Sequence, residues 1–246
     1  MIMKSSFCFF SVLACILALL LSCSNKVENV EDDVSYPKSK VWAHRVNTPA
    51  EANEKIKCFD GIEIDLVYDA STGELMVSHE IDYDAKMTFR EYLQGVCEPD
   101  KPCYWLDMKN LDLNAEAICD TILSLAEDFG FIKKFFVESW HSYALNIAKE
   151  KGIKTSLWVD NLYGMENPDI DEWFSKVSSG INIAHPDAIS ADHRMWKLVV
   201  SYFPDMNINL WQTPTLLNDE NVELTKEICR DQHVKVLLVD YEKPPM

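Results

Sequence analysis

A chain of 246 residues has room for one large domain, and roughly 200 residues suffice for a closed α/β barrel with a full core. Its formal net charge of −17, from 40 acidic against 23 basic side chains, argues against the counterion-driven grip on a polyanion that nucleic-acid binding needs. A small phosphodiester bridged through a cation is compatible with the same surface.

Met1 to Cys23 carries Lys4, an apolar run from Phe7 to Leu21 and the close Leu20-Leu21-Ser22-Cys23. That is the layout of a secretory signal, and it is too short to span a bilayer. The Leu-Ser-Cys ending resembles a bacterial lipobox, which implies removal of residues 1–22 and a lipid on Cys23. Residues 23–40, polar and acidic from Glu28 to Asp33, read as a tether, and residues 41–246 as the folded domain. The expected place is the cell envelope, outside the cytoplasm and anchored to a bacterial membrane. Of eight cysteines, five fall in the folded domain: Cys58, Cys97, Cys103, Cys119 and Cys229. The turn-rich Glu-Pro-Asp-Lys-Pro between Cys97 and Cys103 leaves two readings open there, a small disulfide or two thiols.

From Val41 onward, short apolar β-branched or aromatic runs alternate with amphipathic stretches, as repeated βα units around a parallel sheet require. The runs are Val41–Val46, Gly61–Tyr68, Tyr104–Lys109, Phe135–Ser139, Thr155–Asp160, Ala188–Ala191, Asn207–Gln212 and Lys235–Tyr241. Helical spacing marks Asn114–Phe129, Tyr143–Lys151, Ile170–Ser178, Arg194–Tyr202 and Asn218–Cys229. After the second run, Ser71-Thr72-Gly73-Glu74 reads as a turn and Leu75-Met76-Val77-Ser78-His79 as a returning extra strand. No helix follows the last run. The expected fold is a single (β/α)₈ TIM-type barrel with a hairpin-like strand after strand 2, and the alternative is an open doubly wound sheet.

In a parallel barrel, reactive groups gather where strands end, so His44-Arg45, Glu63, Asp65 and Asp107-Met108-Lys109 are expected to meet. Side chains two apart on a strand share a face, which pairs Glu63 with Asp65 and Asp107 with Lys109. Three carboxylates at one mouth suit a hard divalent cation, Mg²⁺ or Ca²⁺, better than zinc. Lys109 and Arg45 would help hold an anionic phosphoryl group. Two histidines, His44 and His79, are the residue type that gives and takes protons near neutral pH. Ser139 beside His141 lacks the strand–turn–helix elbow of a serine hydrolase and reads as a pocket residue, while Trp140, Trp158 and Trp211 fall near strand ends.

Trp42-Ala43-His44-Arg45, Gly61-Ile62-Glu63-Ile64-Asp65, His79-Glu80 and Leu106-Asp107-Met108-Lys109 together resemble the ordered signature of the glycerophosphodiester phosphodiesterases. Local wording, such as Asn209-Leu210-Trp211-Gln212 and the aspartate at position 107, is similar to the sphingomyelinase D-type phospholipases and menorin-like proteins. The resemblance implies His44 and His79 as the acid–base pair, Glu63, Asp65 and Asp107 as metal ligands, Lys109 on phosphate and Trp211 beside the substrate. It departs at Val46, where glycine is usual, and at Asn47-Thr48-Pro49-Ala50-Glu51 in place of Pro-Glu-Asn-Thr. The expected function is metal-dependent cleavage of a glycerophosphodiester or phospholipid headgroup. A non-catalytic lipid- or glycan-binding lipoprotein is the alternative, and a glycosidase a lesser one.

Overall fold

The computed structural model describes residues 36–81, 87–112, 114–211 and 218–245. The expected signal, Cys23 and the tether up to residue 35 lie outside the described residues, as does Gln212. The folded unit is a closed barrel. Its eight parallel strands are β1 (Val41–Ala43), β2 (Gly61–Asp69), β4 (Cys103–Met108), β5 (Phe135–Ser139), β6 (Lys154–Trp158), β7 (Ala188–Asp192), β8 (Asn207–Trp211) and β9 (Val234–Val239). Each pairs with the next, and β1 pairs with both β9 and β2, so the sheet has no open ends and the doubly wound alternative is excluded. The extra strand is β3 (Glu74–Val77), antiparallel to the last four residues of β2 with Leu66 opposite Val77. Gly73, at φ 76°, makes the turn between them.

Seven helices pack outside: α1 (Pro49–Lys55), α2 (Phe89–Gly95), α3 (Ala115–Asp128), α4 (Ser142–Glu150), α5 (Ile170–Ala184), α6 (Trp196–Tyr202) and α7 (Asp219–Arg230). Three of these, α1, α2 and α6, carry only seven residues each, and of the three only α6 shows helical spacing in the sequence, while α1 and α2 do not. Their start signals are nonetheless present. Thr48 caps α1 with proline at its first position, and Thr88 with Glu91 forms a reciprocal capping box on α2. Helix α5 runs six residues past the expected Ser178, to a left-handed His185. Residues 193–195 form a 3₁₀ turn before α6, so the expected Arg194–Tyr202 helix begins late. No helix follows β9 in residues 240–245, as expected. Among the described residues, no helix is long and apolar enough to cross a membrane.

Alternation along the strands creates two cores. Ile62, Ile64, Leu106, Val137, Ile189, Ile208 and Leu237 belong to the larger one with the helix residues Ile118, Ile122, Leu145, Val199 and Ile228. Trp42, Cys103, Trp105, Phe136, Val236 and Leu238 form a separate cluster, with Tyr36 packed against it. This second cluster plugs the barrel. It also decides the cysteine question: Cys103 is buried in it, Cys97 is exposed after α2, and both are free thiols.

The plug explains the glycine that opens β2. A Cβ on Gly61 would lie 2.1 Å from the Trp42 ring, which is fully buried and has nowhere to retreat. Gly61→Ala should cost about 1–3 kcal/mol by overpacking, read as a lower denaturant midpoint at unchanged slope; an unchanged midpoint would mean that the ring shifts freely.

Candidate functional site

Above the plug the strand ends surround a cavity of about 510 Å³. Its lining contains His44, Arg45, Glu63, Asp65, His79, Asp107 and Lys109 together with Trp140, Trp158 and Trp211. Every residue singled out in the described part of the chain therefore reaches one cavity, polar on the β1, β2 and β4 side and aromatic on the other. Cys23 lies outside the described residues.

The carboxylates converge because Glu63 and Asp65 point inward from β2 while β4 sets Asp107 directly beside Asp65 in register. One oxygen from each of Glu63, Asp65 and Asp107 lies within 4.8 Å of the others. Such crowding needs compensation, and the neighbours supply it. After β1 the backbone turns left-handed at Arg45, φ 51°, an uncommon conformation for a side-chain-bearing residue. That turn aims the Arg45 N–H at Glu63 Oε2, 2.6 Å away. Asn47 follows and clamps Asp65 twice: its Nδ2 donates to Oδ2 at 2.7 Å, and its Oδ1 accepts from the Asp65 N–H at 3.0 Å. Lys109 Nζ sits 2.7 Å from Asp65 Oδ1 and also donates to Asp107 Oδ2. The ammonium expected to hold phosphate is thus already bridging two of the acids.

The electrostatics follow from these contacts. Burial, then repulsion from Asp65 and Asp107, pushes Glu63 well above the ordinary glutamate range, against the pull of the Arg45 N–H and Lys109. Burial acts on Asp65 in the same sense, but Lys109 and Asn47 outweigh it and hold Asp65 low. Asp107 is raised, by burial first and by Asp65, with Lys109 opposing. A site with one carboxylate held ionised and two that resist ionisation is short of positive charge. Three oxygen donors this close could hold a divalent metal ion.

Each histidine stands on a carboxylate. His44 Nδ1 is 3.1 Å from Asp240 Oδ1, which leaves Nε2 toward the cavity, 3.9 Å from Glu63 Oε2. His79 Nδ1 is 2.9 Å from Glu80 Oε1, and its Nε2 is 3.0 Å from Arg45 Nη2. A guanidinium only donates, so in that contact His79 Nε2 is the acceptor.

Sequence reasoning missed Asn47, Glu80 and Asp240 as supporting residues, and Glu138 altogether. Glu80 stands beside His79 in the quoted motif but carries no role of its own there, and only the closure of the barrel brings Asp240 to His44. Glu138 had a visible signal, an acid inside the apolar run of β5. It lines the cavity, fully buried, with Trp105 Nε1 donating to its Oε2 at 2.6 Å. Its other oxygen has no hydrogen-bond partner among the described residues, and the nearby Ser190 hydroxyl favours the anion without reaching bonding geometry. Burial, then the charge of Asp107, lifts its pKa to about 8.

No family model matches the sequence, and no curated protein matches it. Solved structures do. A glycerophosphodiester phosphodiesterase from Parabacteroides distasonis superposes over 82% of this chain and 92% of its own at 14% identity, TM-score 0.59. An Oleispira antarctica phosphodiesterase in complex with the product sn-glycerol-3-phosphate covers 83% and 94% at 14% identity, TM-score 0.60. At this identity the likeness shows the fold alone, a (β/α)₈ TIM-type barrel that these phosphodiesterases share. A barrel of different chemistry, 2,3-dimethylmalate lyase, also superposes at 12% identity over 85% and 78%, TM-score 0.52. Backbone likeness therefore does not choose the reaction, and the side chains at the mouth must.

Two outcomes follow for this barrel. Glu138 keeps its proton when folded but loses it near pH 4.5 when unfolded, so its stabilising effect is complete below that value and is lost as pH rises to about 8. Thermal midpoints between pH 5 and 9 in EDTA should fall less steeply for Glu138→Gln than for wild type; parallel curves would remove Glu138 as the titrating group. Millimolar Mg²⁺ or Ca²⁺ should raise the wild-type midpoint, and Asp107→Asn should lower the fitted cation affinity about tenfold or more. Equal affinity in both proteins would take Asp107 out of the ligand set.

Proposed function

We propose that the domain is a metal-dependent phosphodiesterase that cleaves glycerophosphodiesters or phospholipid headgroups. We place it outside the cytoplasm, tied to a bacterial membrane through a lipid on Cys23. One arrangement carries the reading: three carboxylates within 4.8 Å share a cavity with two imidazoles, each backed by a carboxylate at Nδ1. The product-bound Oleispira structure supports a glycerophosphodiester as the substrate class.

Glu63, Asp65 and Asp107 would hold the cation, which when bound polarises the phosphoryl group and offsets charge growing on its oxygens. The remaining work falls to this chain's own groups. Arg45 and Lys109, both lining the cavity, supply positive charge beside the phosphate. His79 takes the proton from the attacking hydroxyl at Nε2 once the Arg45 guanidinium that now donates to that nitrogen turns onto the phosphate. His44, held by Asp240, delivers a proton from Nε2 to the departing alkoxide. With a hydroxyl of the substrate as nucleophile the product is a cyclic phosphate; with water it is the phosphomonoester and the free alcohol. Asp240 and Glu80 fix ring orientation and tautomer, the part a carboxylate plays behind any catalytic imidazole.

The test is a panel of glycerophosphocholine, lysophosphatidylcholine and simple glycosides, incubated with Mg²⁺ or Ca²⁺. Wild type should cleave a phosphodiester, EDTA should stop it, and His44→Ala should lower kcat by about 10²–10⁴-fold. Lipid binding with no cleavage of any diester would favour the binding lipoprotein, and sugar release the glycosidase.

A further inference from the structure

Nine large apolar side chains are exposed among the described residues, and five of them sit at the mouth end of the barrel, four in loops and Tyr143 in the first turn of α4. Ile81 follows β3, Trp140 and Tyr143 follow β5, and Tyr163 and Met165 follow β6; each is between 47% and 75% exposed. Strands β5 and β6 are neighbours, so four of the five occupy one side of the rim. Trp140 joins this rim to the cavity, since it lines the cavity and packs edge-on against Trp158 with ring centres 6.1 Å apart.

The rim is braced. Buried Asp192 receives Arg194 Nε at 2.9 Å and Asn161 Nδ2 at 3.0 Å, and the Arg194 guanidinium lies 4.3 Å over the Tyr163 ring. A fully buried carboxylate, an arginine and an asparagine thus hold an aromatic ring out in water, where it gains nothing from burial.

We propose that the loops after β5 and β6 dock the barrel mouth onto a zwitterionic lipid bilayer, with Trp140, Tyr143, Tyr163 and Met165 entering its interface. Tryptophan and tyrosine prefer the boundary between headgroups and acyl chains, where an apolar ring and a polar tip are both served. Charge selects the lipid. Residues 139–143 and 159–169 contain no lysine or arginine, while Asp160, Glu166 and Asp169 are acidic, and the chain carries −17 overall. An anionic surface repels such loops; a zwitterionic one does not.

Reach is consistent with this occupant. The described chain begins at Tyr36, packed against the plug at the end away from the mouth. The 13 residues from Ser24 to Tyr36 extend to about 45 Å, against about 20 Å for a six-residue strand such as β4. A barrel lipidated at Cys23 can therefore turn its mouth to the membrane that holds it. The surface goes beyond the phosphodiesterase reading and does not depend on it.

The experiment uses the full chain in phosphatidylcholine vesicles with acyl-brominated lipid as a contact quencher of tryptophan. Wild type should show quenching that disappears in Trp140→Phe, because residues 1–35 contain no tryptophan. The double variant Tyr143→Ser/Met165→Ser should reduce that component at least twofold, whereas Ile132→Ser at the opposite end should not. Replacing half the lipid with phosphatidylglycerol should weaken it. Quenching unchanged by Trp140→Phe overturns the proposal, as does a concentration-dependent dimer, abolished by the double variant, without quenching. Cleavage of glycerophosphocholine and lysophosphatidylcholine is followed in parallel: quenching without cleavage of either leaves the docking surface standing and removes the phosphodiesterase.

Discussion

Glu63, Asp65 and Asp107 repel one another, and most of what surrounds them is arranged against that repulsion. A backbone N–H reaches Glu63 through the left-handed turn at Arg45, Asn47 grips Asp65 at both ends of its amide, and Lys109 bridges Asp65 and Asp107. Each of these costs something in local conformation or in buried charge, and none has a purpose in a barrel without the three acids. The arrangement still leaves Glu63 and Asp107 reluctant to ionise, which is the electrostatic condition of a site built around a further positive charge.

The barrel makes the convergence possible through register. Parallel pairing of β2 with β4 sets Asp65 level with Asp107, and the closing contact of β1 with β9 sets His44 beside the residue that follows Val239. Because β2 outruns the barrel and returns as β3, His79 arrives at the mouth from a strand that is not part of the barrel wall. Arg45 then links the two halves: its N–H belongs to the carboxylate group and its guanidinium to His79.

Much of this was legible in the sequence, for physical reasons. Glu63 and Asp65 stand in an otherwise apolar run, where two charges on one face are too costly to be incidental, and strand ends in a parallel barrel point to one place. Periodicity marks α3, α4, α5, α6 and α7, whereas α1 and α2, seven residues each, go unmarked by it although capping residues stand at their starts. The supporting set was less legible. Asp240 serves His44 across 196 positions, a pairing fixed by ring closure, and Asn47 reads as an ordinary loop amide until the turn at Arg45 folds it over Asp65. Lys109 lines the cavity, but spacing gives no sign that its ammonium bridges Asp65 and Asp107.

The plug of Trp42, Trp105, Phe136, Val236 and Leu238, sealed further by Tyr36 and by the absence of any side chain at Gly61, turns the barrel into a well with one opening. Traffic through such a site is single-ended. A molecule leaving such a well would take the same mouth, lined by His79 and Trp140, as the next one entering it.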